Sequence, residues 1–156
     1  MSHQSFIEES IKEAVSGVKK AHGGPFGAVI VRKGKVIARA HNEVFKRNDP
    51  TCHAEVNAIR KASKKLKSPY LADCVIYSSC EPCPMCLSAI LWARINVVFF
   101  AASGKVADKA GFSDMGILDA IKGLPSKRKF TKKRICSPDQ LAPFVAWKDS
   151  SKKKPY

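Results

Sequence analysis

Two short fragments constrain this chain more than any other feature of it: HAE at residues 53–55 and PCPMC at residues 82–86. Their imidazole and two thiolates are three protein ligands for a zinc ion, which leaves one tetrahedral position open, as in catalytic sites. The glutamate close to the histidine is a group that can carry protons. A fold that uses all of these groups has to bring both fragments to one point.

We therefore predict that His53, Cys83 and Cys86 bind zinc and that Glu55 acts as the proton carrier. Each fragment has a simpler interpretation on its own. A C-x-x-C pair can be a redox site or half of a structural zinc site, and a histidine can cap a helix. Cys80 is the adjacent alternative ligand, and its binding would close the open position. We expect it instead to pack as a small apolar residue at a strand end.

Helical and strand-like patterns alternate along the chain. The apolar spacing predicts helices near residues 6–20, 53–66 and 85–93, and strands near residues 26–31, 36–40, 74–78 and 96–101. The C-terminal part is less regular, with a short helix within 111–124, a strand at 130–136 and a helix at 138–147. This order predicts an α/β sandwich, with one mixed sheet between helices in a single domain. Both metal-binding fragments fall at helix N-termini, where the helix dipole stabilises thiolates.

The chain is strongly basic, with 28 lysines and arginines against 13 acidic residues, a formal net charge of +15. Such a charge is compatible with binding nucleic acid, but the basic residues are spread out and lack the interleaved aromatics that stack bases. We favour a solvated basic surface. No apolar run is long enough for a membrane span, and the first residues do not have the pattern of a signal peptide. We expect a cytoplasmic protein whose clustered cysteines bind metal rather than form disulfides.

The pattern H-x-E…P-C-x-x-C is the signature of zinc deaminases that act on nucleobases. At these residues the chain resembles the cytidine deaminase-like superfamily, and within it the small microbial guanine deaminases. The likeness extends over nearly the whole chain, through GGPFGAVIV (23–31), NDPTCHAEVNAIRKA (48–62), SCEPCPMCLSAILWAR (79–94), AGFSDMGI (110–117) and the C-terminal LAPFVAWKDSSKKKPY (141–156).

The resemblance implies a three-layer α/β/α sandwich with a central mixed five-stranded sheet and one zinc ion per subunit. It implies hydrolysis of guanine, a small purine base, to xanthine and ammonia, with Glu55 and Asp114 moving protons. Asn42, Phe26 and Trp92 match positions that bind the base. The segment from about 138 to 156 would cross to a partner subunit in a homodimer, where Tyr156 would close the site.

Other functions stay open on the sequence alone. The same zinc motif serves deaminases of guanosine, cytosine or pterin-like rings, and of adenosine in tRNA. A non-enzymatic zinc module that binds nucleic acid is a further alternative, although it has no need of Glu55. Cys52 and Ser113 depart from the family pattern, since a small residue and an acidic residue are commoner at these positions.

Overall fold

The computed structural model describes residues 2–123, 132–134, 137 and 141–151. Four strands form one sheet: β1 (Gly27–Arg32), β2 (Lys35–His41), β3 (Cys74–Cys80) and β4 (Val97–Ala102). The helices are α1 (His3–Lys19), α2 (Val44–Arg47), α3 (Ala54–Leu66), α4 (Pro84–Trp92), α5 (Gly104–Lys109), α6 (Met115–Ile121) and α7 (Ala142–Asp149).

The strand order is β2-β1-β3-β4. β1 pairs antiparallel with β2 and with β3, whereas β3 and β4 are parallel. The β1–β2 hairpin turns through Lys33 and Gly34, which have φ of 48° and 74°, as a two-residue turn of matching twist requires. The parallel pair needs a crossover, and α4 supplies it. The sheet is mixed, as the sequence predicted.

Successive side chains of β1 point to opposite faces of the sheet. On one face, Phe6 of α1 packs in a buried cluster with Val29, Val31 and Tyr77. On the other, α3 and α4 cover a larger apolar cluster that includes Ala28, Ile30, Ala54, Ala58, Ile76 and Ile90. Helices on both faces of one sheet make the three-layer α/β/α sandwich, which confirms the predicted architecture.

The expected count of five strands needs correction, because the described residues contain four. The strand predicted at 130–136 falls mostly outside the described residues, and 132–134 within it have no regular structure. The C-terminal helix predicted at 138–147 corresponds to α7, which begins at Ala142. None of the helices in the described part of the chain is long and apolar enough to cross a membrane.

Candidate active site

The two fragments singled out in the sequence meet where two helices begin. His53 is the N-cap residue of α3 and Cys83 is the N-cap residue of α4, both with extended backbone angles. Pro84 follows in the first turn of α4, where its fixed φ and missing N–H are tolerated. Within that first turn, Cys86 is fully buried. The fold thus brings the three predicted zinc ligands together.

The ligand atoms are spaced as a zinc ion requires. His53 Nδ1 lies 3.6 Å from Cys83 Sγ and 3.5 Å from Cys86 Sγ. Bond lengths of about 2.0 Å to nitrogen and about 2.3 Å to sulfur separate such atoms by about 3.5 Å around a tetrahedral ion. The three side chains therefore fit zinc as they stand. Cys80 does not join this group among the described residues, since its thiol donates to the Ser103 carbonyl at 3.7 Å.

The two cysteines have opposite proton affinities. Hydrogen bonding with Cys86, and then with His53, outweighs burial and lowers the pKa of Cys83 to about 4. The contact with Cys83, together with burial, raises the pKa of Cys86. Hydrogen bonding with Cys83 also raises the pKa of His53. Because a divalent cation displaces ligand protons as it binds, metal uptake at this site is coupled to proton release.

Glu55 lies in the first turn of α3, and 4% of its surface is exposed. Its Oε1 accepts a hydrogen bond from Ser78 Oγ at 2.9 Å, and its Oε2 lies 3.3 Å from Cys86 Sγ. Burial raises the pKa of this carboxyl, against the opposing effect of the hydrogen bonds from Ser78 and Cys86. A buried carboxyl with a raised pKa is suited to accept and return a proton near neutral pH.

A cavity of about 440 Å³ opens beside these groups, a size typical of small-molecule sites. Six residues predicted from the sequence line it: Phe26, Asn42, His53, Glu55, Cys83 and Asp114. They come from the two helix N-termini, the end of β2 and the loops before β1 and α6. The fold therefore places metal ligands, a proton carrier and base-binding candidates around one space.

Asn42 has a defined orientation in this cavity. Its Oδ1 accepts hydrogen bonds from the backbone N–H groups of Gly24 at 3.2 Å and Val44 at 3.1 Å. No buried side-chain nitrogen or oxygen in the described part of the chain lacks a partner. The Asn42 amide nitrogen, which donates to no described acceptor, is therefore open to the cavity. The side chain offers a ligand a donor rather than an acceptor.

Residues 1–102 match the family model of the cytidine and deoxycytidylate deaminase zinc-binding region. The chain belongs to this family. The match includes both metal-binding fragments and ends at the last residue of β4. Together with the fitting ligand distances, it confirms zinc as the cofactor and shows that the chain is a zinc-dependent hydrolytic deaminase.

Two relatives match different shares of this chain. Guanine deaminase of Bacillus subtilis (strain 168) is 47% identical over 156 residues, 100% of both chains. An X-ray structure of guanine deaminase from Bacillus subtilis superposes with a TM-score of 0.95, covering 100% of this chain and 99% of that one. The tRNA-specific adenosine deaminase of Aquifex aeolicus (strain VF5) is 40% identical over 105 residues, 67% of this chain and 69% of that protein.

Two of the predicted residues that line the cavity are Asp114 and Phe26. Asp114 is the N-cap residue of α6, and its pKa is raised by burial first and then by the charge of Cys83. Phe26 packs edge-on against Phe112, with ring centroids 5.1 Å apart. Ser113, one of the two departures from the family pattern, also lines the cavity. A carboxyl and flat apolar rings thus face the same space as the metal ligands.

Trp92 does not line this cavity in the single chain. It lies at the end of α4 with 69% of its surface exposed, beside a separate depression lined also by Ser88, Leu91 and Arg94. Tyr156 lies outside the described residues. The roles of these two aromatic residues in binding the base stay predictions.

Two supporting residues were missed at the level of sequence. Ser78 holds Glu55 from β3, and Asn57 donates to the carbonyls of His41 at 3.2 Å and Cys52 at 3.1 Å. Asn57 thereby ties the end of β2 to the residue before His53. Their one sequence signal is a polar side chain inside an apolar segment, because a buried polar group needs a partner.

Proposed function

We propose that this chain hydrolyses guanine to xanthine and ammonia, with one zinc ion per subunit. The observation that carries the proposal is the extent of its likeness to the guanine deaminase of Bacillus subtilis, which covers all 156 residues. That likeness includes the region after residue 102, beyond the zinc-binding family model. Phe112 and Asp114 lie in this region and line the cavity.

His53, Cys83 and Cys86 would hold the zinc ion, which supplies the Lewis acidity that makes water a nucleophile at neutral pH. In the net reaction, water adds at the ring carbon that bears the amine, the carbon–nitrogen bond breaks and ammonia leaves. One proton of the water ends on a ring nitrogen and the other on the departing amine. Glu55 would accept the first proton at Oε2, because Ser78 holds Oε1 and the Cys86 thiol, which donates to Oε2, gives up its proton when it becomes a metal ligand.

Asn42 and Asp114 complete the proposed roles. Because its oxygen is held by two backbone donors, Asn42 would donate from Nδ2 to a carbonyl oxygen or ring nitrogen of the purine. Asp114, whose pKa is raised by burial, would deliver the proton that the leaving amine needs. Phe26 would pack against the planar base. The side chains thus divide into one that orients the base and two that move protons.

We also propose that the segment from about 138 to 156 packs on a second copy of this chain in a domain-swapped homodimer. The apolar residues of α7 are exposed in the single chain, with Phe144 at 71% and Val145 at 54%. The edge strand β4 exposes Phe99 and Phe100 as well, and an exposed apolar edge invites pairing with another chain. In this arrangement Trp92 and the tail residue Tyr156 would complete the base pocket.

Mixing two inactive variants tests the swap. A chain lacking residues 154–156 keeps Glu55 but cannot close a partner's site, whereas a Glu55→Gln chain keeps its tail but cannot move the proton. If Tyr156 closes the partner's site, co-refolded mixtures regain turnover that neither variant has alone. Unchanged kinetics of the truncated chain would refute the role of the tail, and a monomeric mass by light scattering would refute the dimer.

A second candidate substrate is adenosine in tRNA, since the Aquifex aeolicus tRNA-specific adenosine deaminase is 40% identical over two thirds of the chain. The net charge of +15 is compatible with that partner. The cavity argues for a free base, because Phe112 and Asp114, which lie after the zinc-binding family region at residues 1–102, contribute to its wall. We expect the enzyme in the cytoplasm, where free purine bases are metabolised.

Ammonia release decides between the substrates. We expect release from guanine, and much less from guanosine, adenine, cytosine or a tRNA anticodon stem-loop. Xanthine is identified by its ultraviolet spectrum. A zinc-loaded enzyme that leaves guanine unchanged overturns the proposal, and deamination of the stem-loop in place of guanine would establish the alternative.

A further inference from the structure

A row of three titratable side chains lies next to the base-binding asparagine and outside the cavity. His22 Nδ1 lies 2.9 Å from His41 Nε2, and His41 Nδ1 lies 3.2 Å from Glu13 Oε2. None of the three belongs to the metal site or lines the cavity. His41 is the last residue of β2 and directly precedes Asn42. The row therefore adjoins the asparagine along the chain, on the side of the sheet where His41 meets Glu13 and Gly17 of α1.

The row is enclosed by α1. The His41 side chain is 11% exposed, and its ring packs against Gly17 of α1. A Cβ at Gly17 would lie 2.8–2.9 Å from three atoms of the His41 side chain. Glu13 comes from the preceding turn of the same helix. One face of α1 thus provides both the carboxylate and the space for the His41 ring.

The segment that carries His22 is bonded to the wall of the cavity. The His22 carbonyl accepts from the backbone N–H groups of Phe45 at 3.0 Å and Lys46 at 3.1 Å, at the start of α2. Two residues later, the Gly24 N–H donates to Asn42 Oδ1. Gly23 lies so close that a Cβ there would overlap Asn42 Oδ1. The position of His22 therefore affects the orientation of the Asn42 amide.

We propose that Glu13, His41 and His22 form a positioning relay that fixes the Asn42 amide for the substrate and releases it when both histidines are protonated. The relay rests on the proposed function, in which Asn42 holds the base. A hydrogen bond between two imidazoles needs one donor and one acceptor. The pair can therefore share one proton between the facing nitrogens, whereas two imidazolium rings would present two donors to each other.

The surrounding charges favour one shared proton, rather than two, between His22 Nδ1 and His41 Nε2. Glu13 of α1 accepts from the outer nitrogen of His41, while Lys20 after α1 and Lys46 of α2 oppose positive charge on His22. Burial first, and then the charges of Lys46 and His41, lower the pKa of His22, against the attraction of Glu43. The link is thus intact near neutral pH and is lost in acid.

A metal ion is the competing explanation, since His22, His41 and Glu43 lie close enough to share one. The Glu43 oxygens, however, are already paired with Lys46 Nζ at 2.9 Å and Arg47 Nε at 2.6 Å. The facing imidazole nitrogens, 2.9 Å apart, are also closer than the roughly 3.3 Å that two nitrogen ligands of a tetrahedral zinc ion require. Both observations favour a hydrogen bond.

Two substitutions of His22 test the relay in the zinc-loaded enzyme. His22→Leu removes the link, and His22→Asn keeps a non-titrating amide near the position of Nδ1. We expect His22→Leu to raise KM for guanine about threefold to tenfold, the effect of one lost hydrogen bond, with kcat within about twofold of wild type. Because the amide of His22→Asn can replace the hydrogen bond to His41, the KM of this variant at pH 7.5 should equal that of wild type. Wild-type KM should rise as the pH falls below the ordinary range of histidine, in the direction that the lowered pKa of His22 requires, whereas KM of His22→Asn should not.

The matched control is His3→Leu, which removes another histidine hydrogen bond, to Tyr77, with no contact to the Asn42 loop. Its KM should equal that of wild type at each pH. The relay would be overturned if both His22 variants had the KM of wild type. It would also be overturned if wild type bound two zinc ions and either variant bound only one, because His22 would then be a metal ligand. If His22→Leu does not fold, the pH profile of His22→Asn decides: a flat KM supports the relay, and a wild-type profile overturns it.

A readout without substrate separates this inference from the proposed function. In wild-type protein with ¹⁵N-labelled histidine, the ring signals of His22 and His41 should change together as the pH falls, and His22→Asn should alter the ring signals of His41. Ring signals that change independently of each other overturn the relay. An enzyme that leaves guanine unchanged but shows coupled ring signals overturns only the proposed function.

Discussion

Two buried carboxyl groups on either side of residues 44–54 have opposite proton affinities. Glu43 and Glu55 have 6% and 4% of their surfaces exposed. Burial disfavours the charged form of both. Nevertheless, hydrogen bonds and charge from Lys46 and Arg47 outweigh burial at Glu43 and lower its pKa to about 2. At Glu55 burial prevails and the pKa is raised.

The difference comes from the next helical turn. Positions three and four after Glu43 are Lys46 and Arg47, whose cations pair with its carboxylate. The corresponding positions after Glu55 are Ala58 and Ile59, and no described salt bridge reaches it. The neighbouring cations therefore decide whether a buried carboxyl stays ionised, as at Glu43, or has a raised pKa, as at Glu55. A carboxyl with a raised pKa is the one suited to proton transfer near neutral pH.

The largest effect expected from this difference is on turnover. Glu55→Gln keeps the shape of the side chain and the Ser78 contact but removes proton exchange. We expect kcat to fall by about 10²- to 10⁴-fold, the usual contribution of a general acid–base group. Zinc measured by elemental analysis should stay at one equivalent. Glu43→Gln is the matched control, because it removes an equally buried carboxyl, and its kcat should stay within about threefold of wild type. Comparable losses of kcat in the two variants would contradict the assignment of proton transfer to Glu55 alone.

The metal half of the site was predictable because its groups are fixed by local spacing. His53 and Glu55 belong to one helix start, and Cys83 and Cys86 to another. The apolar patterns also predicted the hairpin and the α/β order. Contacts such as Ser78 with Glu55 depend on how β3 packs against α3, and single-sequence patterns do not encode that packing. The exposure of Trp92 at the end of α4 likewise depends on tertiary packing that the sequence pattern does not encode.

The expected count of five strands shows the same limit. β1 to β4 each have a clear apolar run in the sequence, whereas the region after Ile121 mixes basic residues with short apolar stretches. Short runs of that kind fit a strand, a helix or a loop about equally well. Periodicity alone therefore did not decide whether this region adds a fifth strand.

The second prediction concerns stability. Glu43→Gln removes the ion pairs with Lys46 and Arg47, and both cations are about half exposed, so screening reduces their contribution. We expect the free energy of unfolding at pH 7 to fall by about 1–2 kcal/mol, measured by urea titration of the zinc-loaded protein. The free energy of unfolding should fall by less in Glu55→Gln, because this substitution breaks no ion pair. A larger loss in Glu55→Gln would mean that the active-site carboxyl is the structural one.

The third prediction is the pH dependence of that stability difference. The folded-state pKa of Glu43 is about 2, below the ordinary value of 4.5, so the ionised group stabilises the fold above about pH 4.5 and loses this effect as the pH falls towards 2. The gap in unfolding free energy between wild type and Glu43→Gln should be constant from pH 7 to 5 and narrow below that. A gap that widens in acid would have the wrong sign for a depressed carboxyl pKa.

The smallest effect should come from Ser78→Ala, which removes the hydroxyl that holds Glu55 Oε1 at 2.9 Å. Glu55 would remain buried and able to exchange a proton, but its carboxyl would no longer be fixed towards the substrate. We expect kcat to fall about threefold to tenfold, the range for one hydrogen bond, with KM nearly unchanged. Ser10→Ala is the control, because Ser10 is equally buried but bonds only to the Ile7 carbonyl of α1. Equal turnover in the two variants would show that burial alone, without Ser78, is enough to position Glu55.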